Sequence, residues 1–480
     1  MSRKPKLLII VLFQNLAEEG WVYYARSPSP PLSGVLLAAL TPPLVEVELL
    51  HEMVRPVDYE TDADIVALSF MDFCAPHAYQ VAARFRAQGK RVIAGGRYPT
   101  TFPDQVLPHF DAVVAGEAEP VWAQVVRDAV AGRLQRIYRA PIGPSLGHIP
   151  PPRYDLVEPE FAVPVVTEAT RGCRYRCRFC QLTVAQVPYR CRPIEDVIRD
   201  FTTTAGLPWH KRRVAMLYDN NLGGDLEYAK ALLREIAKLD LWALGVQFSF
   251  ECLHDDEFVE LLARAHCRMA FIGMESLSEP SLLAMHKRQN RVSEYESLFG
   301  KLRSRGILIF AGLMVGLEED TVSYYQRLPE LLEQAGPSAV LTSIAIPIPG
   351  TPFSEQMKRE HRLVDTNLAH YEGDHLVFRP RRLTAEQLLA AYAAVCRIFY
   401  AWPTILRRLV SLLAAQRREG RLRERAIGLV LLILIYFRLT VFQRHHLRRK
   451  VLRPAPCRAP SSGRATRGRF ARRLPPAALG

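Results

Sequence analysis

Three cysteines stand in one short stretch, Arg171-Gly-Cys-Arg-Tyr-Arg-Cys-Arg-Phe-Cys180, at the spacing C-x3-C-x2-C. Thiolates are soft donors, and three on one loop can each hold one iron of a cubane [4Fe–4S] cluster. The fourth iron then stays open to a small molecule that chelates it and receives an electron. Gly172 lets the backbone wrap the inorganic core, and Phe179 can shield it from water. The competing chemistry is a zinc knuckle, which wants a fourth ligand and usually pairs of C-x2-C. Cys191 or His210 is available for that role, but neither stands at the usual spacing. Cys173, Cys177 and Cys180 are therefore the candidate metal ligands.

Composition narrows the setting. The chain has 480 residues, 49% hydrophobic and 23% charged, which fits a globular protein of more than one domain. The apolar run Lys4–Phe13 is too short for a secretory signal and reads as a first buried strand. With one tight cysteine cluster, this predicts a reducing cytoplasmic setting. The net charge is +14, yet residues 403–480 hold 19 Arg and Lys against two Glu, so the first 402 residues carry −3. A nearly neutral body argues against a nucleic-acid partner.

The elements that must position these residues are α/β throughout. Leu7–Phe13, Val45–Leu50, Ile65–Phe70, Arg91–Ala94 and Ala112–Ala115 read as strands, with helices at Ala78–Ala87 and Val121–Val130 between them. This rhythm predicts a doubly wound parallel sheet, Rossmann-like, over residues 1–140, with ligands at the strands' carboxyl ends. A Pro- and Gly-rich linker covers 141–160. Six further strands follow, Pro164–Thr167, Val214–Tyr218, Gly245–Phe250, Met269–Ile272, Leu308–Leu313 and Val340–Ala345, each with a helical stretch behind it. They suit a partial (β/α)6 barrel over 161–380, with chemistry at the strand ends. Residues 381–450 read as a helical extension including Thr384–Tyr400, and 451–480 as a basic disordered tail.

The cysteine spacing, the aromatic residue before the last cysteine and the preceding strand together resemble the radical SAM superfamily, over about Val163 to Arg379. The resemblance implies that S-adenosylmethionine (SAM) chelates the open iron and is cleaved to methionine and a 5′-deoxyadenosyl radical. That radical then takes hydrogen from an unactivated carbon. It also implies SAM contacts at Asp219 and Asn220 after the second strand, Glu251 after the third, Glu275 after the fourth and Gly312 on the fifth. A low-potential donor such as flavodoxin or ferredoxin would supply the electron. The first domain resembles the cobalamin-binding class through Pro28–Gly34, Ser69-Phe70, Gly95-Gly96-Arg97-Tyr98-Pro99-Thr100 and Val114–Glu119. This implies cobalamin contacts at Ser69, Gly95, Gly96, Thr100 and Gly116. The Asp-x-His-x-x-Gly motif that ligates cobalt from below is absent, so any cobalt bound here would lack a lower histidine.

The layout most resembles hopanoid-lipid methylases and tetrapyrrole-modifying enzymes. It implies a cobalamin-dependent C-methyltransferase in which one SAM methylates the corrinoid and a second yields the radical. A radical oxidative cyclase without methyl transfer is the alternative. Methylthiotransferases are similar around the cluster but carry three further cysteines in the first domain, where this chain has only Cys74. Near the end, the apolar stretch Ala426–Phe442 is flanked by arginines on both sides. Basic residues on both sides fit a helix lying in an anionic membrane interface better than a single span. The expectation is a small hydrophobic substrate met at the inner face of the cytoplasmic membrane, by peripheral contact.

Overall fold

A computed structural model describes residues 3–13, 29–141, 143, 145–415, 430, 433–437 and 440. In the first sheet the strands are β1 (Lys6–Val11), β2 (Glu46–His51), β3 (Ile65–Ser69), β4 (Arg91–Gly95), β5 (Ala112–Ala115) and β6 (Ile137–Arg139). Their order is β2-β1-β3-β4-β5-β6, parallel throughout. This is the flavodoxin-like winding, and its switch point lies between β1 and β3. The last strand was not expected: three residues, Ile-Tyr-Arg, carry too little pattern to show a period of two.

The strands of a second sheet follow, with a short two-stranded ribbon between its first two strands. β7 (Val165–Thr167) leads into β8 (Thr170–Arg171), which pairs antiparallel with β9 (Arg190–Cys191). Then follow β10 (Val214–Leu217), β11 (Ala243–Phe248), β12 (Cys267–Glu275), β13 (Leu308–Val315) and β14 (Ala339–Ile344). The order β14-β13-β12-β11-β10-β7 is sequential and parallel, which is an open six-stranded barrel. The strands of this six-stranded sheet are mostly apolar, as expected where helices cover a parallel sheet.

Alternation along β1 decides how the two sheets join. Leu8 and Ile10 face a core closed by Phe85, Phe110 and the Ala75–Ala87 helix. Leu7 and Ile9 face the opposite way, into a core that runs on through Trp122, Tyr154 and Val165 into the barrel. The two sheets therefore share one hydrophobic core.

The expected helix Thr384–Tyr400 occupies Ala385–Phe399, and a second helix, Trp402–Ala415, follows it. Among the described residues no single helix is long and apolar enough to cross a membrane. Ala385–Phe399 and Trp402–Ala414 pass that test only together and are bent by 54°. Of the stretch Ala426–Phe442 only Val430, residues 433–437 and Thr440 are described, all helical. Pro28 of the Pro28–Gly34 segment, the arginines flanking Ala426–Phe442 and Arg453–Gly480 lie outside the described residues.

Candidate active site

The cysteine loop leaves β8 through Gly172, whose φ is +90° and whose Cβ would lie 2.3 Å from the Pro188 carbonyl oxygen. Only glycine fits there. Its amide donates to Asn220 Oδ1 at 3.1 Å. Asn221 Nδ2 donates to Cys173 Sγ at 3.9 Å, and Cys177 Sγ lies 4.0 Å from the His286 carbonyl oxygen. Arg178 fastens the middle of the loop. Its amide donates to Met285 O (3.1 Å), and its guanidinium to Ala284 O (3.2 Å) and Gln356 Oε1 (2.7 Å). Side chains from the second and sixth barrel units and backbone carbonyls from the fourth thus hold one short irregular segment.

Burial pushes the Cys177 thiol up to about 11 and raises Cys180 as well. Each is raised further by a neighbouring thiol, Cys180 beside Cys177 and Cys173 beside Cys180. Among the described residues no three His, Cys, Asp or Glu side chains group as a site for one metal ion. A cubane differs from a single ion because each thiolate meets its own iron. Three mutually interacting thiols on one anchored loop fit that group. Lys287 also lies beside Cys177 and Cys180, where its charge would offset bound thiolates.

The residues expected at the strand ends have distinct roles. Asp219 is fully buried, and its Oδ1 accepts from the amides of Ala169 (3.1 Å) and Thr170 and from Thr170 Oγ1 (2.6 Å). Its Oδ2 is buried without a partner, and burial pushes its carboxyl up to about 7. Asp219 therefore braces the strand that feeds the cysteine loop. Asn220 braces Gly172, as above. Glu251 accepts from Ser249 Oγ at 2.6 Å and from Tyr175 OH inside the cysteine loop, and its Oε2 is buried and unpartnered. Glu275, at φ +65°, pairs with Lys287 at 3.1 Å. Gly273 and Gly312 flank that pair: a Cβ on Gly273 would lie 2.3 Å from Glu275 Oε1, and one on Gly312 3.5 Å from Oε2.

Sequence reasoning missed Lys287, Tyr175 and Ser249 as members of this group. Lys287 sits in the polar run His-Lys-Arg-Gln-Asn, where nothing in the spacing marks one cation out.

On the first sheet, Ser69 Oγ reaches Ser33 Oγ at 3.5 Å. Gly96 has φ +106°, and a Cβ there would strike Phe70 O at 2.7 Å. Thr100 Oγ1 donates to Gly96 O (2.8 Å) and accepts from the Gly116 amide (3.1 Å), and a Cβ on Gly116 would meet Ala140 O at 2.5 Å. Close approach of the chain to itself thus accounts for Gly96, Thr100 and Gly116. Gly95 differs: among the described residues nothing lies within 4 Å of where its Cβ would be. The loop after the neighbouring strand β3 touches the segment that follows the cysteines. Gln181, next to Cys180, donates to Asp72 in the loop after β3 at 3.4 Å, and both are buried.

Comparison with known proteins agrees with this geometry. Residues 167–332 match the radical SAM superfamily. The chain is 28% identical to bacteriochlorophyllide d C-12(1)-methyltransferase of Chlorobaculum tepidum, over 85% of this chain and 90% of that one. It is 25% identical to hopanoid C-2 methylase of Rhodopseudomonas palustris, over 72% of this chain and 68% of that one. Among solved structures it shares the fold of the radical SAM methyltransferase TsrM from Kitasatospora setae, determined with cobalamin and a [4Fe–4S] cluster bound. The TM-score is 0.58 at 17% identity, over 93% of this chain and 99% of that one. The chain thus carries a radical SAM domain at residues 167–332, preceded by a parallel α/β domain that shares its core.

Proposed function

We propose that this protein is a cobalamin-dependent radical SAM C-methyltransferase acting on an unactivated carbon of a hydrophobic substrate of tetrapyrrole or lipid type. One observation carries the reading. The carboxyl ends of both parallel sheets meet at the cysteine loop, through the contact between Asp72 and Gln181. Collinearity with a tetrapyrrole C-methyltransferase over 90% of its length supports it.

When bound, the cluster and SAM supply a carbon-centred radical and cobalamin supplies the methyl group. The chain's own residues hold and shield that chemistry. Cys173, Cys177 and Cys180 would ligate three irons. Glu251, whose Oε2 is a buried acceptor without a partner, would take an N–H of the SAM amine. Glu275 and Lys287 keep a neutral charged pair against the loop, so that binding a cationic cofactor does not meet an uncompensated charge. Ser69 and Gly95 would border the corrinoid face, which Gly96, Thr100 and Gly116 shape. Burial of Cys177 and the packing of the loop keep water from the radical.

Peripheral membrane contact on the cytoplasmic side belongs to the same proposal. It is supported by exposed apolar residues at Leu406, Val410, Val430 and Leu434 in a part of the chain whose charge is +17. The electron would come from a flavodoxin- or ferredoxin-type donor.

The experiment is anaerobic reconstitution with iron, sulfide and hydroxocobalamin, followed by turnover with SAM carrying a deuterated methyl group. Corrinoid retained by the protein and label entering the product are expected. Cleavage of SAM with no label in product would replace methyl transfer with an oxidative reaction. Cys173→Ala, Cys177→Ala and Cys180→Ala should each abolish cluster absorbance and SAM cleavage.

A further inference from the structure

The most concentrated set of buried charges outside the cofactor residues spans the two domains. β8 and β9 place Arg171 and Arg190 directly opposite each other, as cross-strand partners. Two like charges in that position repel and destabilise the ribbon. Both point to one carboxylate, and it comes from the other domain. Glu117, in the loop after β5, pairs with Arg171 Nη1 at 3.2 Å and accepts hydrogen bonds from Arg190 Nη1 at 3.1 Å and from Nη2. Glu119 of the same loop takes Arg171 Nη2 at 2.6 Å, and Glu168 completes the set. None of the five side chains is more than 19% exposed, so salt screens them little.

The two ends of this network are informative. Arg171 lies two residues before Cys173. Glu117 follows Gly116, whose amide is held by Thr100 and whose φ of +110° sets the loop's course. The backbone that shapes the strand ends of the first sheet is therefore joined to the ribbon that starts the cysteine loop, by Glu119 to Arg171 and by Glu117 to both arginines. Buried ion pairs can contribute little net stability because desolvation offsets their attraction, while removing one partner leaves the other charge uncompensated.

We propose that Glu117 is an interdomain positioning residue: by neutralising Arg171 and Arg190 together, it holds the strand ends of the first domain at a fixed distance from the cysteine loop. On the methyl-transfer reading above, on which this rests, that distance separates the methyl donor from the carbon radical. Loosening it should uncouple methyl transfer from SAM cleavage, because small misplacements of reacting groups cost large factors in rate.

The test uses full-length protein carrying its cluster and hydroxocobalamin, wild type against Glu117→Gln, which is isosteric but uncharged. Hydrogen exchange is read in the peptide covering residues 170–191, with the helix Asp256–Arg264 as reference. The expected result is exchange about tenfold faster in 170–191 with the reference unchanged, as for a local opening. In turnover with bacteriochlorophyllide d as probe, 5′-deoxyadenosine formation should persist, while methylated product per 5′-deoxyadenosine falls at least about tenfold. Should Glu117→Gln not fold, Arg190→Lys carries the same measurements, since it keeps the charge but loses the two-pronged contact. Exchange in 170–191 equal to wild type overturns the proposal, as does exchange rising equally in the reference helix. Wild type that puts no deuterated methyl into any product would defeat the methyl-transfer reading alone, and exchange would still decide the clamp.

Discussion

Lys287 and Glu275 show how much one residue can be asked to balance. Burial alone would lower the Lys287 amine, but Glu275 and the Cys177 and Cys180 thiols outweigh it and raise it. Replacing it by methionine keeps the shape and leaves Glu275 buried without its cation. Lys287→Met should cost about 3 kcal/mol in urea unfolding, the usual penalty for breaking one side of a buried pair. Asp219 makes a prediction in pH. Burial raises its carboxyl from 3.8 to about 7, against the hydrogen bonds from Thr170 and Ala169 that lower it. Between about pH 4 and 7 the native state holds a proton that the unfolded chain has released, so stability should fall as pH rises through that window and level off above it. Asp219→Asn mimics the protonated form, and urea midpoints across pH should lose that slope. An unchanged slope would mean that Asp219 is ionised in the native state.

At the scale of elements, the strand ends of the first sheet separate two roles for neighbouring glycines. Gly96 serves the chain itself, since its positive φ and the nearby Phe70 carbonyl oxygen exclude any side chain. At Gly95 no described residue comes within 4 Å of an added Cβ. Gly96→Ala should cost about 1–3 kcal/mol of stability from backbone strain. Gly95→Ala should change stability by less than about 0.5 kcal/mol yet reduce corrinoid retention, measured by absorbance after desalting. If Gly95→Ala retains corrinoid as wild type does, this strand end is not where cobalamin lies. The same reasoning marks Gly172, where an added methyl would meet the Pro188 carbonyl oxygen before the cysteine loop could close.

For the whole molecule, the shared core behind β1 and the buried network at Glu117 both join the sheets, the first an apolar contact and the second a charged one. Farther along the chain, exposed Leu406 and Val410 stand four apart on one helix, in the segment that holds the excess of arginine. The protein should sediment with phosphatidylglycerol vesicles and not with phosphatidylcholine vesicles. Binding should weaken toward about 1 M salt, where the Debye length falls to ~3 Å. Val410→Glu should weaken it further. Equal binding to both vesicle types, or none, would remove the membrane from the account.

The sequence by itself determined the cysteine loop, the two parallel α/β sheets and the strand ends where residues such as Glu251 and Glu275 stand. Those features are local. A cysteine spacing, a run of five apolar residues or a glycine pair after a strand spans fewer than ten positions, and its physical meaning survives without knowing the neighbours. What each strand-end residue touches was decided only by the tertiary structure. Asp219 and Asn220 brace the backbone of the cysteine loop, Gly96 and Gly116 make room for the chain itself, and of those glycines Gly95 alone has no described residue within 4 Å of an added Cβ. The partners lie far off in sequence: Tyr175 meets Glu251 across 76 positions, and Arg190 meets Glu117 across 73. Such pairs form only when parallel strands bring distant loops to one edge. The energy that selects them is the desolvation of charge, which depends on the closed core and not on any pattern along the chain.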